Sequence, residues 1–137
     1  ISFVPQLPPP ISLNLDDLLS YIEKSSDTKR EDIFYYAKEM ELDLQGNMNK
    51  SFFKLSGGMK QKLLIAISLA KKSDIMIFDE PTANLDPKAR DNFYRLLKEI
   101  RTEKVMLFVT HRLDEVESLV NRQIYMDLGE IVSDEKI

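Results

Sequence analysis

Two carboxylic acids and the only histidine stand where they could carry out chemistry on a phosphate. Asp79 and Glu80 come directly after the apolar run 75–78. His111 comes two residues after the end of a second apolar run, 105–109. In open sheets of parallel strands, ligands bind beyond the carboxyl ends of the strands. One carboxylate could hold Mg²⁺ while the other orients or deprotonates a water for attack on a γ-phosphate. A solvated strand end and a surface histidine are the alternatives.

The stretch Leu-Ser-Gly-Gly-Met-Lys-Gln, residues 55–61, is a further candidate. It holds two of the four glycines in the chain, placed just before an apolar, helix-like run. Backbone amides at a helix N-terminus attract anions, and glycines let a phosphate approach them closely. The hydroxyl of Ser56 adds a donor. A flexible loop with Ser56 as a helix cap would give the same pattern.

Gln6 and Asp86 are ambiguous when each is taken alone. Gln6 leaves an apolar segment just before a proline-rich loop, where it could reach a metal ion or a water. Asp86 precedes Pro87, and this pair is typical of a helix N-cap followed by proline at the first helical position. Capping is therefore the default interpretation of Asp86.

The hydrophobic pattern predicts the elements that must position these residues. It predicts strands at 1–4, 74–79, 104–110, 124–128 and 130–133, and helices at about 15–24, 28–40, 55–71, from 87 onward and 113–120. Thr28 and Glu31 have the spacing of a capping box. The order of elements predicts an α/β fold with a largely parallel sheet, covered on both faces, and a helical insertion in the first half.

Composition limits the classes of protein that remain. The 137 residues are 43% hydrophobic and 31% charged, which fits one globular domain or most of one. The net charge of −4 gives no basic field for nucleic acid or an anionic membrane. The absence of cysteine excludes disulfides and thiolate metal sites within the chain. No apolar run is long enough to span a bilayer.

Taken together, four segments resemble the nucleotide-binding domain of ABC transporters. They are residues 3–6, 55–61, 75–86 and 108–111, and they occur in that order. The resemblance covers essentially the whole chain and implies a partial P-loop NTPase (RecA-like) core with a helical subdomain. It assigns 1–10 to the Q-loop strand and loop, 11–54 to the helical subdomain, and 55–137 to the signature helix and the C-terminal part of the core.

The resemblance implies ATP and Mg²⁺ as cofactors and a role for each matching residue. Asp79 would be the Walker B aspartate on Mg²⁺, and Gln6 would sense the metal. Glu80 would be the catalytic glutamate beside the water, and His111 the switch histidine on the γ-phosphate. The other nucleotide-site residues would be Ser56, Gly57, Gly58, Met59 and Gln61 of the signature stretch, which faces ATP held by another subunit, and Asp86 at the dimer interface.

One departure from the family pattern concerns the P-loop, Gly-x-x-x-x-Gly-Lys-Ser/Thr, which does not occur in the chain. The family places this loop upstream of Gln6, together with the N-terminal Walker A strands. We therefore expect the chain to be the C-terminal part of an ABC ATPase, without measurable ATPase activity alone. We also expect an unprotected sheet edge, which favours pairing between chains.

The resemblance further implies partners and a location. We expect a transmembrane permease subunit, a second nucleotide-binding domain in a homo- or heterodimer, and no nucleic acid. The expected location is cytoplasmic, peripheral on the inner face of the cell membrane. Segments 55–66 and 110–132 are similar to ABC-2-type export ATPases. Two alternatives stay open: a non-transport ABC ATPase acting on DNA or ribosomes, and a half-domain that contributes only its signature loop.

Overall fold

A three-stranded parallel sheet carries the carboxylates and the histidine. The computed structural model describes all residues from Ile1 to Ile137. Strands β1 (Ser2–Val4), β2 (Ile75–Asp79) and β3 (Val105–Val109) lie in the order β1-β2-β3, and both pairs are parallel. The predicted α/β fold with a parallel sheet is therefore confirmed.

Five helices and one hairpin complete the fold. The helices are α1 (Leu15–Ser25), α2 (Arg30–Glu39), α3 (Gly57–Ala70), α4 (Pro87–Ile100) and α5 (Leu113–Val116), with single 3₁₀ turns at Gln45–Asn47, Phe52–Lys54 and Arg101–Glu103. Strands β4 (Arg122–Asp127) and β5 (Glu130–Lys136) form an antiparallel hairpin. Leu128 and Gly129 turn this hairpin with φ of 46° and 84°. Glycine adopts such positive angles without strain.

Helix α3 is apolar on most sides because it packs against two hydrophobic clusters. Leu63 and Ala66 belong to a cluster built with α1 and α2, whereas Ile65 and Leu69 belong to a cluster built with the sheet and α4. A helix with apolar residues on several faces is stable only when each face is buried. Helix α3 therefore connects the helical first half of the chain to the sheet.

Aromatic packing fixes the sheet against α4. The Phe78 ring lies 5.4 Å from Phe93 of α4 in a T-shaped arrangement and 5.2 Å from Phe108 of β3 in a stacked one. Phe78 and Phe93 are both fully buried. Aromatic pairs at such separations add to the stabilisation that comes from burial. The ends of β2 and β3 are thus held in one register directly beneath the predicted site.

The prediction that the parallel sheet is covered on both faces is wrong within residues 1–137. The chain's helices cover one face, and the other exposes apolar side chains, of which Val105 is 64% and Leu107 52% exposed. Successive side chains of a strand point to opposite faces, so the exposed residues alternate with buried ones such as Met76 and Phe78.

Two local predictions are also corrected. Thr28 does not form a capping box: Lys29 precedes α2 without a side-chain cap, and the Thr28 hydroxyl is hydrogen-bonded to Ser26 instead, at 2.8 Å. Helix α5 ends at Val116 rather than at residue 120. No helix is long and apolar enough to cross a membrane.

Candidate functional site

The predicted catalytic residues meet at the carboxyl edge of the sheet. Asp79 is the last residue of β2 and lies opposite Val109 in the parallel register. The residues that follow, Glu80 on one strand and Thr110 and His111 on the other, are therefore neighbours. Strand β1 ends two residues before the exposed Gln6, on the other side of β2. The sheet thus brings Gln6, Asp79, Glu80 and His111 to one edge.

Glu80 and His111 are in direct contact. One carboxylate oxygen of Glu80, Oε1, lies 2.7 Å from Nδ1 of the imidazole and accepts a hydrogen bond from the His111 amide at 3.0 Å. The other oxygen accepts from the hydroxyl of Thr110 at 3.3 Å. The Glu80 side chain is 14% exposed and the His111 side chain 77%. The carboxylate is therefore held from the inside, while the imidazole stays open to a ligand.

The backbone of Glu80 adopts a conformation that is uncommon for a residue with a side chain. Its φ is +43°, in the left-handed region. Its amide donates to the carbonyl of Val109 at 2.9 Å, which fixes this conformation against β3. Such conformations cost about 1 to 3 kcal/mol and occur often at functional sites. The turn directs the Glu80 carboxylate toward His111.

The hydrogen bonds to Glu80 favour the ionised form of its carboxyl group. Partial burial acts to raise the pKa of Glu80, but the hydrogen bonds from His111 and Thr110 outweigh it. The resulting pKa lies below the ordinary value of 4.5. An ionised carboxylate is purely an acceptor, so Glu80 could accept a hydrogen bond or a proton from a water.

The signature stretch begins α3, as the sequence predicted. Ser56 is the N-cap, and its hydroxyl accepts a hydrogen bond from the amide of Met59 at 3.2 Å. The side chain of Met59 packs against the cluster formed with α1 and α2. Ser56 and Gly57 are both exposed. The first residue of a fourteen-residue helix and its cap therefore lie at the surface, where the first amides of the helix have no intrahelical partner.

The two glycines of the signature stretch have different surroundings. A Cβ atom on Gly58 would lie 3.2 Å from the carbonyl oxygen of Asn84, which is a tight contact. A Cβ atom on Gly57 would meet nothing within 4 Å. Packing within the chain thus accounts for Gly58 but not for Gly57.

Gln61 occupies a different position from the rest of the predicted nucleotide-site residues. It is fully buried, and its amide donates to the carbonyl of Pro81 at 3.1 Å and of Pro5 at 3.5 Å. Its side-chain oxygen has no partner. Gln61 therefore links α3 to the loops after β1 and β2 and does not present its side chain to solvent.

Asp86 caps α4, which was the default interpretation. Its carboxylate accepts from the amide of Ala89 at 3.2 Å, and Lys62 of α3 lies 3.7 Å from its other oxygen. The hydrogen bond from Ala89 is the largest cause that lowers the pKa of Asp86. The Lys62–Asp86 ion pair and the close approach of Gly58 to Asn84 join the signature helix to the loop after Glu80.

A site for Mg²⁺ with ATP would draw on few protein ligands. No three His, Cys, Asp or Glu side chains are grouped to hold a metal ion. Mg²⁺ usually takes one or two carboxylates, several waters and the phosphates of its substrate. Asp79 is half-buried at the strand end, and Gln6 is exposed on the neighbouring loop. These two residues fit a metal of that kind, and the exposed amides at Gly57 fit a phosphate.

The carboxylate of Glu115, which the sequence analysis did not single out, is also held by several side chains. Glu115 of α5 accepts hydrogen bonds from the side chains of Thr82, Arg90, Tyr94 and Arg112. The acidic character of α5 was visible in the sequence. No periodicity, however, could show that one of its carboxylates turns inward.

Comparison with known proteins gives a consistent result. The sequence profile of a family described as "AAA domain, putative AbiEii toxin, Type IV TA system" matches residues 7–116. ATP-binding cassette sub-family A member 10 of Homo sapiens is 38% identical over 92 residues, which cover 67% of this chain and 6% of that protein. The energy-coupling factor transporter ATP-binding protein EcfA2 of Clostridium perfringens is 40% identical over 98 residues, covering 70% of this chain and 34% of that protein.

A solved structure agrees with these relatives. A dimeric bacterial ABC transporter cassette superimposes with a TM-score of 0.79 and 29% sequence identity, covering 99% of this chain and 62% of that one. The matched part of the chain spans 34% of EcfA2 and 6% of the sub-family A member, so it covers only a part of each relative.

Proposed function

The chain belongs to the family of ABC nucleotide-binding domains, and from this premise we propose that it supplies the hydrolytic residues of an ATP site. The complete protein would hydrolyse ATP and couple that hydrolysis to transport by a membrane permease. The single observation that carries this proposal is the contact between Glu80 and His111 at the carboxyl edge of the sheet. Glu80 would orient the attacking water and accept its proton.

The geometry of the pair supports this division of roles. The Glu80 carboxylate is held by donors on its inner side, and the imidazole of His111 is mostly exposed. An exposed imidazole can donate a hydrogen bond to a γ-phosphate while its Nδ1 stays near Glu80. Asp79 and Gln6 would hold Mg²⁺, which when bound neutralises charge on the phosphates.

The signature stretch has the features of a phosphate-binding surface. Ser56 caps α3 and Gly57 begins it, both residues are exposed, and nothing within the chain requires the glycine at position 57. We propose that this surface binds the γ-phosphate of ATP held by a second nucleotide-binding domain. Asp86 would lie at the same interface. The P-loop that holds ATP would come from outside residues 1–137.

The partners follow from the same premise. One structural relative is described as dimeric, and relatives by sequence are described as transporter ATP-binding proteins. We propose a second nucleotide-binding domain and a permease as partners, with segment 11–54 toward the permease. The assembly would then lie on the cytoplasmic face of the membrane.

ATP-dependent association tests the proposed role of the signature stretch. The experiment uses the longest natural protein that contains residues 1–137, with Glu80→Gln to slow hydrolysis. We expect light scattering to show dimers with ATP and monomers with ADP, and we expect Ser56→Arg to abolish the ATP-dependent dimer. A mass that does not respond to ATP, or a dimer that persists in S56R, would contradict the proposal.

A further inference from the structure

One carboxylate accepts four hydrogen bonds that come from three separate parts of the chain. Oε1 of Glu115 accepts from Nη1 of Arg90 at 2.9 Å and of Arg112 at 3.2 Å. Oε2 accepts from the hydroxyls of Thr82 at 3.0 Å and Tyr94 at 2.8 Å. Four donors nearly saturate the acceptor capacity of a carboxylate. Glu115 is thus the centre of a network, in which only Nε of Arg90 is buried without a partner.

Two of these donors belong to the loops that carry the catalytic pair. Thr82 comes two residues after Glu80, and Arg112 directly follows His111. The other two donors, Arg90 and Tyr94, lie on α4. The carboxylate of Glu115 therefore ties the loop after β2 and the loop after β3 to the same helix.

The network continues from Glu115 to Glu80 itself. The backbone amide of Arg112 donates to the Thr110 hydroxyl at 3.1 Å, and that hydroxyl donates to Oε2 of Glu80 at 3.3 Å. On the other branch, Thr82 lies within the turn that the hydrogen bond from the Ala83 amide to the Glu80 carbonyl closes. The first branch thus reaches the Glu80 carboxylate through hydrogen bonds, and the second reaches the Glu80 backbone through this turn.

Burial and charge make this network rigid. Thr82 is 2% exposed, and the Glu115 side chain is 17% exposed. Two guanidinium groups face one carboxylate, so removal of Glu115 would leave two cations close together without their shared anion. Partial burial acts to raise the pKa of Glu115, but the hydrogen bonds from its donors lower it below 4.5. Charge-assisted bonds of this kind are stronger than neutral ones.

We propose that Glu115 is a positioning residue that holds the loops of Glu80 and His111 in the register at which these two side chains meet. This inference rests on the proposed function, because it gives Glu115 a role in the same hydrolytic site. Glu115 would touch neither ATP nor the attacking water, and it would act through Thr82 and Arg112.

The chain itself offers a direct test, because His111 is its only histidine. Nuclear magnetic resonance of the imidazole nitrogens therefore reports on the Glu80 contact without ambiguity. Hydrogen exchange of the His111 amide reports on the second bond to the same carboxylate. The variants are Glu115→Ala and Glu115→Gln, with Asp114→Ala, an exposed neighbour outside the network, as the matched control.

We expect E115A to shift the Nδ1 resonance and to speed His111 amide exchange by about tenfold or more. We expect E115Q to restore most of the wild-type signal, because the amide oxygen can accept from both arginines while the hydroxyls of Thr82 and Tyr94 accept from the amide nitrogen. D114A should match the wild type. Where E115A fails to fold, Thr82→Val removes one branch with little change in shape and should give a smaller shift in the same direction.

An unchanged Nδ1 resonance and unchanged amide exchange in folded E115A, or in T82V where E115A does not fold, would overturn the inference. ATP turnover by the longest protein containing the chain separates this outcome from the proposed function. There we expect E115A to lower kcat by about tenfold or more with little change in KM. A wild type that binds but does not hydrolyse ATP would overturn the proposed function, and the resonance data would still decide the role of Glu115.

Discussion

The amide and the imidazole Nδ1 of His111 both contact the same oxygen of Glu80, at 3.0 and 2.7 Å. Residues that follow two neighbouring parallel strands are therefore joined in one hydrogen-bonded contact. The contact depends on the left-handed turn at Glu80, which is fixed by its hydrogen bond to Val109. A carboxylate with ordinary extended backbone would not be held in this way.

His111→Ala should affect activity far more than stability. The substitution removes the imidazole but keeps the amide bond to Glu80, and the side chain is mostly exposed. We expect the free energy of unfolding to fall by less than about 1 kcal/mol. We expect ATP turnover in the complete protein to fall about a hundredfold. Urea denaturation and a steady-state ATPase assay measure the two effects, and a large loss of stability would show that the imidazole is mainly structural.

Gly57→Ala should stabilise the fold and weaken ATP-dependent dimerisation. Nothing lies within 4 Å of a Cβ at this position, and alanine is the better helix former. We expect a gain of about 0.5 kcal/mol in urea denaturation. We also expect weaker ATP-dependent dimerisation, because the methyl group would block close approach of a phosphate.

Gly58→Ala is the matched control for the stability part of this prediction. Its Cβ would press on the carbonyl oxygen of Asn84 at 3.2 Å, so no gain in stability is expected. If G57A dimerises with ATP as the wild type does, the phosphate-binding role of this glycine is wrong.

Stability should fall in acid, partly through Glu80 and Glu115. The pKa of each carboxyl lies below its ordinary value of 4.5 in the folded chain, and unfolding restores that value. The folded state therefore binds fewer protons, and the stability these groups provide is complete above the ordinary pKa of 4.5 and is lost as the pH falls through the lower pKa of the folded state. The urea midpoint of E115Q should accordingly lie below that of the wild type at neutral pH and approach it in acid. A difference that stays constant with pH would contradict this interpretation.

The sequence predicted the fold and the meeting of Glu80 with His111 at one edge of the sheet, because both depend on local patterns. Continuous apolar runs indicated buried parallel strands, and polar residues at their ends had to meet at one edge. The two glycines before an apolar helix indicated the signature stretch, and the resemblance added its expected role toward ATP held by another subunit. By contrast, Thr28 has the spacing of a capping box, but its hydroxyl is hydrogen-bonded to the hydroxyl of Ser26 and not to an amide of the helix. Local pattern cannot decide between two such partners.

The network of Glu115 could not be predicted for a different reason. Its members come from the loop after β2, from α4 and from the loop after β3, and they meet only because the sheet and α4 are packed together. Gln61 is similar, since its burial against Pro5 and Pro81 depends on how α3 crosses two loops. Such contacts arise from tertiary packing, which leaves no periodic mark on the sequence.

The most direct test of the account is ATP turnover by the longest natural protein that contains residues 1–137, with Glu80→Gln as the variant. Glu130→Gln, at an exposed position on β5, is the matched control for the loss of one carboxylate. We predict that E80Q keeps its fold and ATP binding but loses at least about a hundredfold in turnover, while E130Q hydrolyses ATP as the wild type does. Turnover by E80Q at the wild-type rate would contradict the claim that Glu80 carries the hydrolysis.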